Sequence, residues 1–315
     1  MNIYFLQKIN KLLKIRFLKN FIIWLLHVFN IRYLALYFDP VLACNLRCKS
    51  CYFSDDEKRK ELKGVFKPDE ITKLASAFFT RTFRLQIGCG AEPTLFKYNP
   101  ELISLGKKYK VRYISLTTNA NLLTYESIKA ILDAGLDELT ISIHGVIKET
   151  YENLMTNASF DKLMDVMQFL TDLKPNYPKF KLRLNFTINN QNVKELNNFF
   201  DVYGKYKIDI LQLRALRNIG GTIRSVDTNS DFEIMFNDAL FTLKTECKKR
   251  KITFIEPDKF LAENDESTEP ESASYCYISP KAVWQPDFDW RNETFNEYSK
   301  RTKYSSKLFK TIFSR

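Results

Sequence analysis

Histidine is nearly absent from this 315-residue chain, which has only His27 and His144. A hydrolytic Ser-His-Asp triad or a histidine-based zinc site is hard to build from two. Nine glycines and ten prolines rule out a collagen-like or low-complexity chain. Six cysteines are too few for a disulfide scaffold at this length. The apolar run "FIIWLLHVF" (21–29) falls well short of the ~20 residues that span a bilayer. No apolar stretch leads to a small-residue cleavage site, so a cytosolic, reducing compartment is expected, where clustered thiols bind metal more often than they pair. The Asn-x-Ser/Thr triplets at Asn157, Asn185 and Asn292 then carry no glycan. Gly220-Gly221 lacks the Gly-Lys-Ser/Thr of a phosphate-binding loop and reads as a turn.

Acidic residues are missing from both ends. Residues 1–38 and 300–315 hold twelve Lys and Arg and no Asp or Glu, whereas the body between them has 36 bases against all 37 acids. A nucleic-acid groove across the body is therefore not supported. Contact of one end with an anionic membrane surface, through residues 1–30, fits better. In residues 5–14, Phe5, Leu6, Ile9, Leu12 and Leu13 share one helical face opposite Lys8, Lys11 and Lys14. Two readings of this end stand side by side: an interfacial helix on a membrane, or a helix packed on the protein's own core or on a partner.

The chain divides into a basic N-terminal segment (1–32), a body (33–256) and a tail (257–315). In the body, about six short apolar runs alternate with helical patterns: "YLALYF", "FRLQIGC", "VRYISLTT", "ELTISIHG", "FKLRLNFTI" and "IDILQLRAL". Runs of this kind suit parallel strands with both faces buried. The expected architecture is α/β, either an open doubly wound sheet or a full or partial barrel, with chemistry at the C-terminal strand ends. In the tail, the acidic "DKFLAENDESTEPESAS" reads as a linker. A short hairpin in "YCYISPKAVWQPDFDW" and a basic helix should follow.

The polar oddities fall at strand ends. Cys44, Cys48 and Cys51 follow the first strand in "ACNLRCKSCYF". Three thiolates on one loop suit zinc with a fourth ligand, or an Fe–S cluster. A [4Fe–4S] cluster held by three thiolates leaves one iron open to a small molecule.

The C-x3-C-x2-C spacing after a first strand resembles the radical S-adenosylmethionine (SAM) superfamily, and the likeness runs in order over about residues 34–256. The resemblance implies a partial (βα)6 TIM-like barrel, with a basic N-terminal helix and a short C-terminal hairpin and helix as additions. It implies a [4Fe–4S] cluster on Cys44, Cys48 and Cys51. Gly90-Ala91-Glu92-Pro93 resembles the Gly-Gly-Glu-Pro segment whose backbone holds the SAM amino group, with alanine replacing one glycine. Thr118 and Asn119 in "TTNAN" resemble a Thr-Asn-Gly strand end. Ser142 matches a serine near the SAM carboxylate or ribose, with His144 close by, and Asn185 an asparagine near the ribose. Backbone around Leu213 would face adenine. Ser50 before the third cysteine, with Tyr52 after it, resembles members that act on peptides.

What the family would do is cleave SAM reductively and abstract a substrate hydrogen through a 5′-deoxyadenosyl radical, with an electron donor of flavodoxin or ferredoxin type. The substrate expected is a peptide or a lipid- or glycan-pathway molecule. The competing reading is a non-catalytic iron–sulfur or zinc module serving partner or membrane-surface binding. The remaining candidates have plainer readings. Cys89, Cys247 and Cys276 are expected to be packed or surface thiols, with one substrate-facing role open to Cys276. His27 is expected to be structural, and Glu256, Asp287 and Asp289 to be solvated.

Overall fold

A computed structural model describes residues 16–216, 230–257 and 274–313. The amphipathic pattern at 5–14, Gly220-Gly221 and most of the acidic linker lie outside the described residues.

Eight strands form one sheet: β1 (Leu34–Phe38), β2 (Thr82–Ile87), β3 (Tyr113–Thr118), β4 (Glu138–Ile143), β5 (Lys181–Ile188), β6 (Ile210–Ala215), β7 (Thr253–Ile255) and β8 (Tyr275–Ile278). Their order across the sheet is β8-β1-β2-β3-β4-β5-β6-β7, and every neighbouring pair is parallel. Parallel neighbours need a crossover between them, and helices supply most of these crossovers. The sheet is an α/β partial barrel, not closed by hydrogen bonds.

The crossover helices form for local reasons. The Tyr125–Asp133 helix starts on a Thr124/Ser127 capping box and stops at Gly135, whose φ of +96° suits glycine. In the Phe160–Leu173 helix, Leu163, Val166, Met167, Leu170 and Leu173 are buried at helical spacing, and Ser159 caps its first turn. One of the helical patterns between the apolar runs, "NVKELNNFFDVYGKY" (192–206), is not a continuous α-helix but a 3-10 stretch, Val193–Asn198, followed by a short helix, Phe199–Tyr203. Glu195 in that stretch accepts from the Val146 backbone N–H at 2.9 Å, which ties it to the end of β4.

The strands differ from the expected doubly apolar runs. Each core strand alternates. Leu85 and Ile87, Ile114 and Leu116, Leu139 and Ile141, Leu182 and Leu184 are fully buried against the helices. The residues between them are Arg84, Gln86, Ser115, Thr117, Thr140, Arg183 and Asn185. These occupy the concave face. Both faces are covered, but only one is apolar, because the concave face lines a cavity rather than a packed core.

The tail also departs from expectation. Tyr275–Ile278 is not one arm of a hairpin but an edge strand that pairs parallel with β1. Only a tight turn remains of the hairpin, bridged between Ser279 and Ala282. Because successive side chains alternate, this edge places Tyr275 and Tyr277 on the concave side and leaves Cys276 and Ile278 buried opposite.

The two basic ends meet. The Arg16–Val28 helix packs on the Tyr304–Phe313 helix through Trp24 against Phe309 (5.1 Å) and Phe17 against Phe313 (5.8 Å). The Asn20 amide donates to the Thr311 carbonyl at 2.8 Å. No helix among the described residues is long and apolar enough to cross a membrane.

Candidate active site

The cysteine loop begins where Asp39-Pro40 ends β1. Backbone bonds from Leu42 to Gly64 (2.9 Å) and from Phe66 to Pro40 (2.9 Å) fix its departure. Leu46 and Phe53, at 1% and 2% exposure, pin the loop on either side of Cys48 and Cys51. Arg47–Cys48 forms a short antiparallel ribbon with Met155–Thr156. The Arg47 guanidinium donates back to the Cys44 carbonyl at 2.8 Å. The three cysteines are left half-buried and unpaired.

Burial pushes the Cys44 thiol up to about 11 and raises Cys48 and Cys51 above the ordinary range. Cys44 and Cys51 add to the upward push on Cys48 by their own negative charge. Such thiols stay protonated at neutral pH unless a metal's positive charge holds them as thiolates. Among the described residues, no three His, Cys, Asp or Glu side chains are gathered tightly enough for a single metal ion. Three half-buried thiols on one loop, electrostatically coupled, suit the ligand set of an iron–sulfur cluster.

Glu92 organises the ends of β2 and β3. Its carboxylate accepts from Thr94 N (3.1 Å), Thr94 Oγ1 (2.6 Å), Thr118 Oγ1 (2.6 Å) and Asn119 N (2.9 Å). Burial raises its pKa against those bonds, which lower it. Its own N–H donates to the Ala43 carbonyl at 2.9 Å, joining this brace to the cysteine loop. Asn119 completes the link by donating to Asn45 Oδ1 at 2.8 Å and lying 3.9 Å from Cys44 Sγ. Glu92, Thr118 and Asn119 are thus gathered beside Cys44, with both carboxylate oxygens of Glu92 engaged in the brace.

Asp39 does the same for the Gly90-Ala91 backbone, and the sequence reading missed it. It is fully buried and accepts from Cys89 N at 2.7 Å, Gly90 N at 3.1 Å and Tyr277 OH at 2.8 Å. The available signal was an acid closing an apolar strand just before proline. Tyr52 also escaped a role; its hydroxyl donates to the Gly90 carbonyl. A Cβ on Gly90 would sit 2.5 Å from that hydroxyl oxygen, so a side chain at 90 has no room. Ala91 is not among the residues with positive φ, so alanine carries no left-handed strain there. The strained glycine is Gly88 at φ +77°, where a Cβ would meet the Thr117 carbonyl oxygen at 2.5 Å.

Ser142, Asn185 and Gln212 are register partners across β4, β5 and β6. Asn185 is 6% exposed, lines the cavity, and its Oδ1 has no hydrogen-bond partner. That orphaned acceptor suits a ligand hydroxyl. The Leu213 side chain is buried away from the cavity, so only its backbone is available there. His144 follows β4; burial and then the Arg214 charge lower its pKa to about 4, leaving a neutral imidazole.

The lesser candidates resolve individually. His27 is structural, within 3.1 Å of both Tyr33 OH and Ser299 Oγ. Cys247 and Cys276 are buried in the core, and Cys89 lines the cavity mouth. Glu256 pairs with Lys244 at 2.9 Å, Asp287 accepts from Tyr298 OH at 3.1 Å, and Asp289 accepts from the Asn292 amide at 2.8 Å.

The family model of the radical SAM superfamily matches residues 40–201, about half of the chain and the part that carries the whole cysteine loop. The chain belongs to the radical SAM superfamily. It is an enzyme, and its cofactors are a [4Fe–4S] cluster and SAM. A probable GTP 3′,8-cyclase of Sulfolobus acidocaldarius is 27% identical over 180 residues, 56% of this chain and 54% of that protein. A second, from Saccharolobus islandicus, is 26% identical over 177 residues, covering 56% and 55%. The chain therefore spans about half the length of the curated relatives it matches. Among solved structures, Streptococcus suis SuiB bound to SAM superposes with a TM-score of 0.62 at 17% identity, covering 90% of this chain and 68% of that one. SuiB bound to its precursor peptide SuiA gives 0.61 at 17% identity, covering 85% and 63%. At that identity the likeness concerns the fold.

Proposed function

We propose that this chain cleaves SAM reductively beside the Cys44–Cys51 loop and removes a hydrogen atom from a small polar molecule held in the concave cavity. The observation that carries the reading is the joining of three strand ends around the thiols: Asp39 and Glu92 fix the Gly90–Pro93 backbone against Cys44, with Asn119 between them. When bound, the cluster and SAM supply a one-electron reduction and a carbon-centred radical able to take a hydrogen atom. The chain's residues do the rest. Cys44, Cys48 and Cys51 would hold the cluster. The backbone of Gly90 and Ala91 would receive the SAM amino group, Ser142 its carboxylate or ribose, and Asn185 Oδ1 a ribose hydroxyl. The neutral His144 would make a polar contact close by, and backbone at Leu213 would meet adenine. The electron comes from a donor of flavodoxin or ferredoxin type.

The substrate reading moves away from a peptide or a lipid- or glycan-pathway molecule. The curated relatives are named for cyclising a nucleotide, GTP. A cavity of about 600 Å³ lined by Gln86, Thr140, Asn185 and Gln212 suits a small polar ligand. The test is anaerobic reconstitution with iron and sulfide, reduction, and addition of SAM with and without GTP. 5′-Deoxyadenosine should form, and Cys48→Ala should abolish both cluster absorption and cleavage. A well-formed cluster that yields no 5′-deoxyadenosine would refute the reading.

Peripheral contact with an anionic membrane draws support from the meeting of the two acid-free ends. Phe17, Phe309 and Phe313 stay exposed there at 48%, 43% and 66%, beside the exposed Lys307 and Lys310. The protein should pellet with phosphatidylserine vesicles, and Lys307→Glu with Lys310→Glu should release it. Equal pelleting of both forms, or none by the wild type, would remove this contact.

A further inference from the structure

On the concave face, one guanidinium has no acid paired with it among the described residues. Arg84 lies four residues before Gly88 on β2, about 13 Å down the strand from the cavity mouth at ~3.3 Å per residue. It lines the cavity, yet among the described residues its guanidinium makes a single hydrogen bond, a donation to Gln86 Oε1 at 2.9 Å. Its Nε is buried with no hydrogen-bond partner, and it makes no ion pair among the described residues. The carboxylate at this level, Glu138, is already committed: it is fully buried and pairs with Arg183 at 2.7 Å. Arg183 also donates to Gln212 Oε1 at 2.8 Å. Arg214 adds a third guanidinium along the wall, and among the described residues the acid that lines the cavity is Glu256, which pairs with Lys244 at 2.9 Å.

An uncompensated guanidinium below the mouth of a cavity is costly to desolvate. Arginine's planar fork matches phosphate or carboxylate through two parallel hydrogen bonds, and such charge-assisted bonds are the strong ones. The SAM expectations lie at the mouth, on Gly90, Ser142 and Asn185, so the floor is left for a second molecule. We infer that Arg84, flanked by Arg183, is the receptor for an anionic group, a phosphate or a carboxylate, on the substrate. The molecule then enters with its charged end down and presents its other end to the SAM site. This deepens the functional reading above, since it assigns the substrate class for the same cavity.

The test uses the reconstituted holoenzyme with SAM bound, so that the mouth is filled. Binding of inorganic pyrophosphate and of citrate is measured by calorimetry at low salt, with glycerol as the neutral control. Wild type should bind at least one anion and not glycerol, and which anion binds separates phosphate from carboxylate. Arg84→Gln should weaken that binding about tenfold or more. Gln86→Glu places a carboxylate beside Arg84 without removing any packing; it should weaken anion binding to a similar degree while the fold is kept. Arg84→Lys should restore part of what Arg84→Gln loses. Unchanged affinity in Gln86→Glu, or no anion binding by wild type, would overturn the inference. Cluster absorption and 5′-deoxyadenosine formation are read in the same samples. Their loss in wild type counts against the radical SAM mechanism, whereas their presence without anion binding counts against the anion site alone.

Discussion

Along β5, Leu182, Leu184, Phe186 and Ile188 are fully buried against the helices, whereas Lys181, Arg183, Asn185 and Thr187 face the concave side. Two sets of four residues on one strand meet opposite demands. The outer set contributes stability by burying apolar area, at about 25 cal/mol per Å². The inner set holds charge and hydrogen-bonding groups that cost free energy to bury and are useful for that reason. Stability and chemistry are thus separated by the thickness of the sheet. The same alternation recurs on β2, where Leu85 and Ile87 oppose Arg84 and Gln86.

This contrast can be broken by experiment. Phe186→Ala on the outer face should cost about 3–5 kcal/mol in urea unfolding. Asn185→Ala on the inner face should cost less than about 1 kcal/mol, because the atom it removes is already unsatisfied. It should instead weaken SAM binding. Equal destabilisation by the two would end the distinction. At the mouth, Gly88→Ala should cost about 2 kcal/mol or more and reduce SAM affinity, since the added Cβ strikes the Thr117 backbone at positive φ. Unfolding monitored with and without SAM separates the two effects.

A smaller effect belongs to the outer side of the molecule. His27 is lowered from 6.5 to about 4 by burial and then by Arg81. A depressed folded pKa means that the folded state binds fewer protons than the unfolded one, so stability is present above pH 6.5 and lost as pH falls towards 4. His27→Asn should flatten that part of the stability–pH curve relative to wild type. An unaltered curve would show that His27 stays solvated. The smallest effect sharpens the comparison of two alanines. Ala91→Gly should lose about 0.5–1 kcal/mol through backbone entropy, because Ala91 has no positive φ to relieve. Ala120 sits at φ +66°, so relief of strain should offset that entropy in Ala120→Gly, leaving thermal stability nearly unchanged.

Much of the site was legible because its parts are local. Cys44, Cys48 and Cys51 fall within one loop, and the Gly90–Pro93 and Thr118–Asn119 segments each end a strand whose pattern could be read. Other parts were not legible. Asp39 resembles any acid at a strand end until its partners Cys89, Gly90 and Tyr277 are seen, and Tyr277 is 238 residues away. The alternation in "TFRLQI" and "KLRLNFTI" is present in the sequence but does not by itself announce a polar face, because a parallel sheet usually buries apolar side chains on both faces.

The sequence by itself determined the order of βα units, the thiol loop and the acid-free ends, since each follows from residue type and spacing along the chain. The tertiary structure decided the rest. Parallel register put Ser142, Asn185 and Gln212 in one row. Edge pairing brought Tyr277 to Asp39, and helix packing joined the two basic ends. It also decided which guanidinium is neutralised, because Glu138 pairs with Arg183 and leaves Arg84 to the cavity. Charge compensation depends on distances through space, and those are set only when the strands are laid side by side.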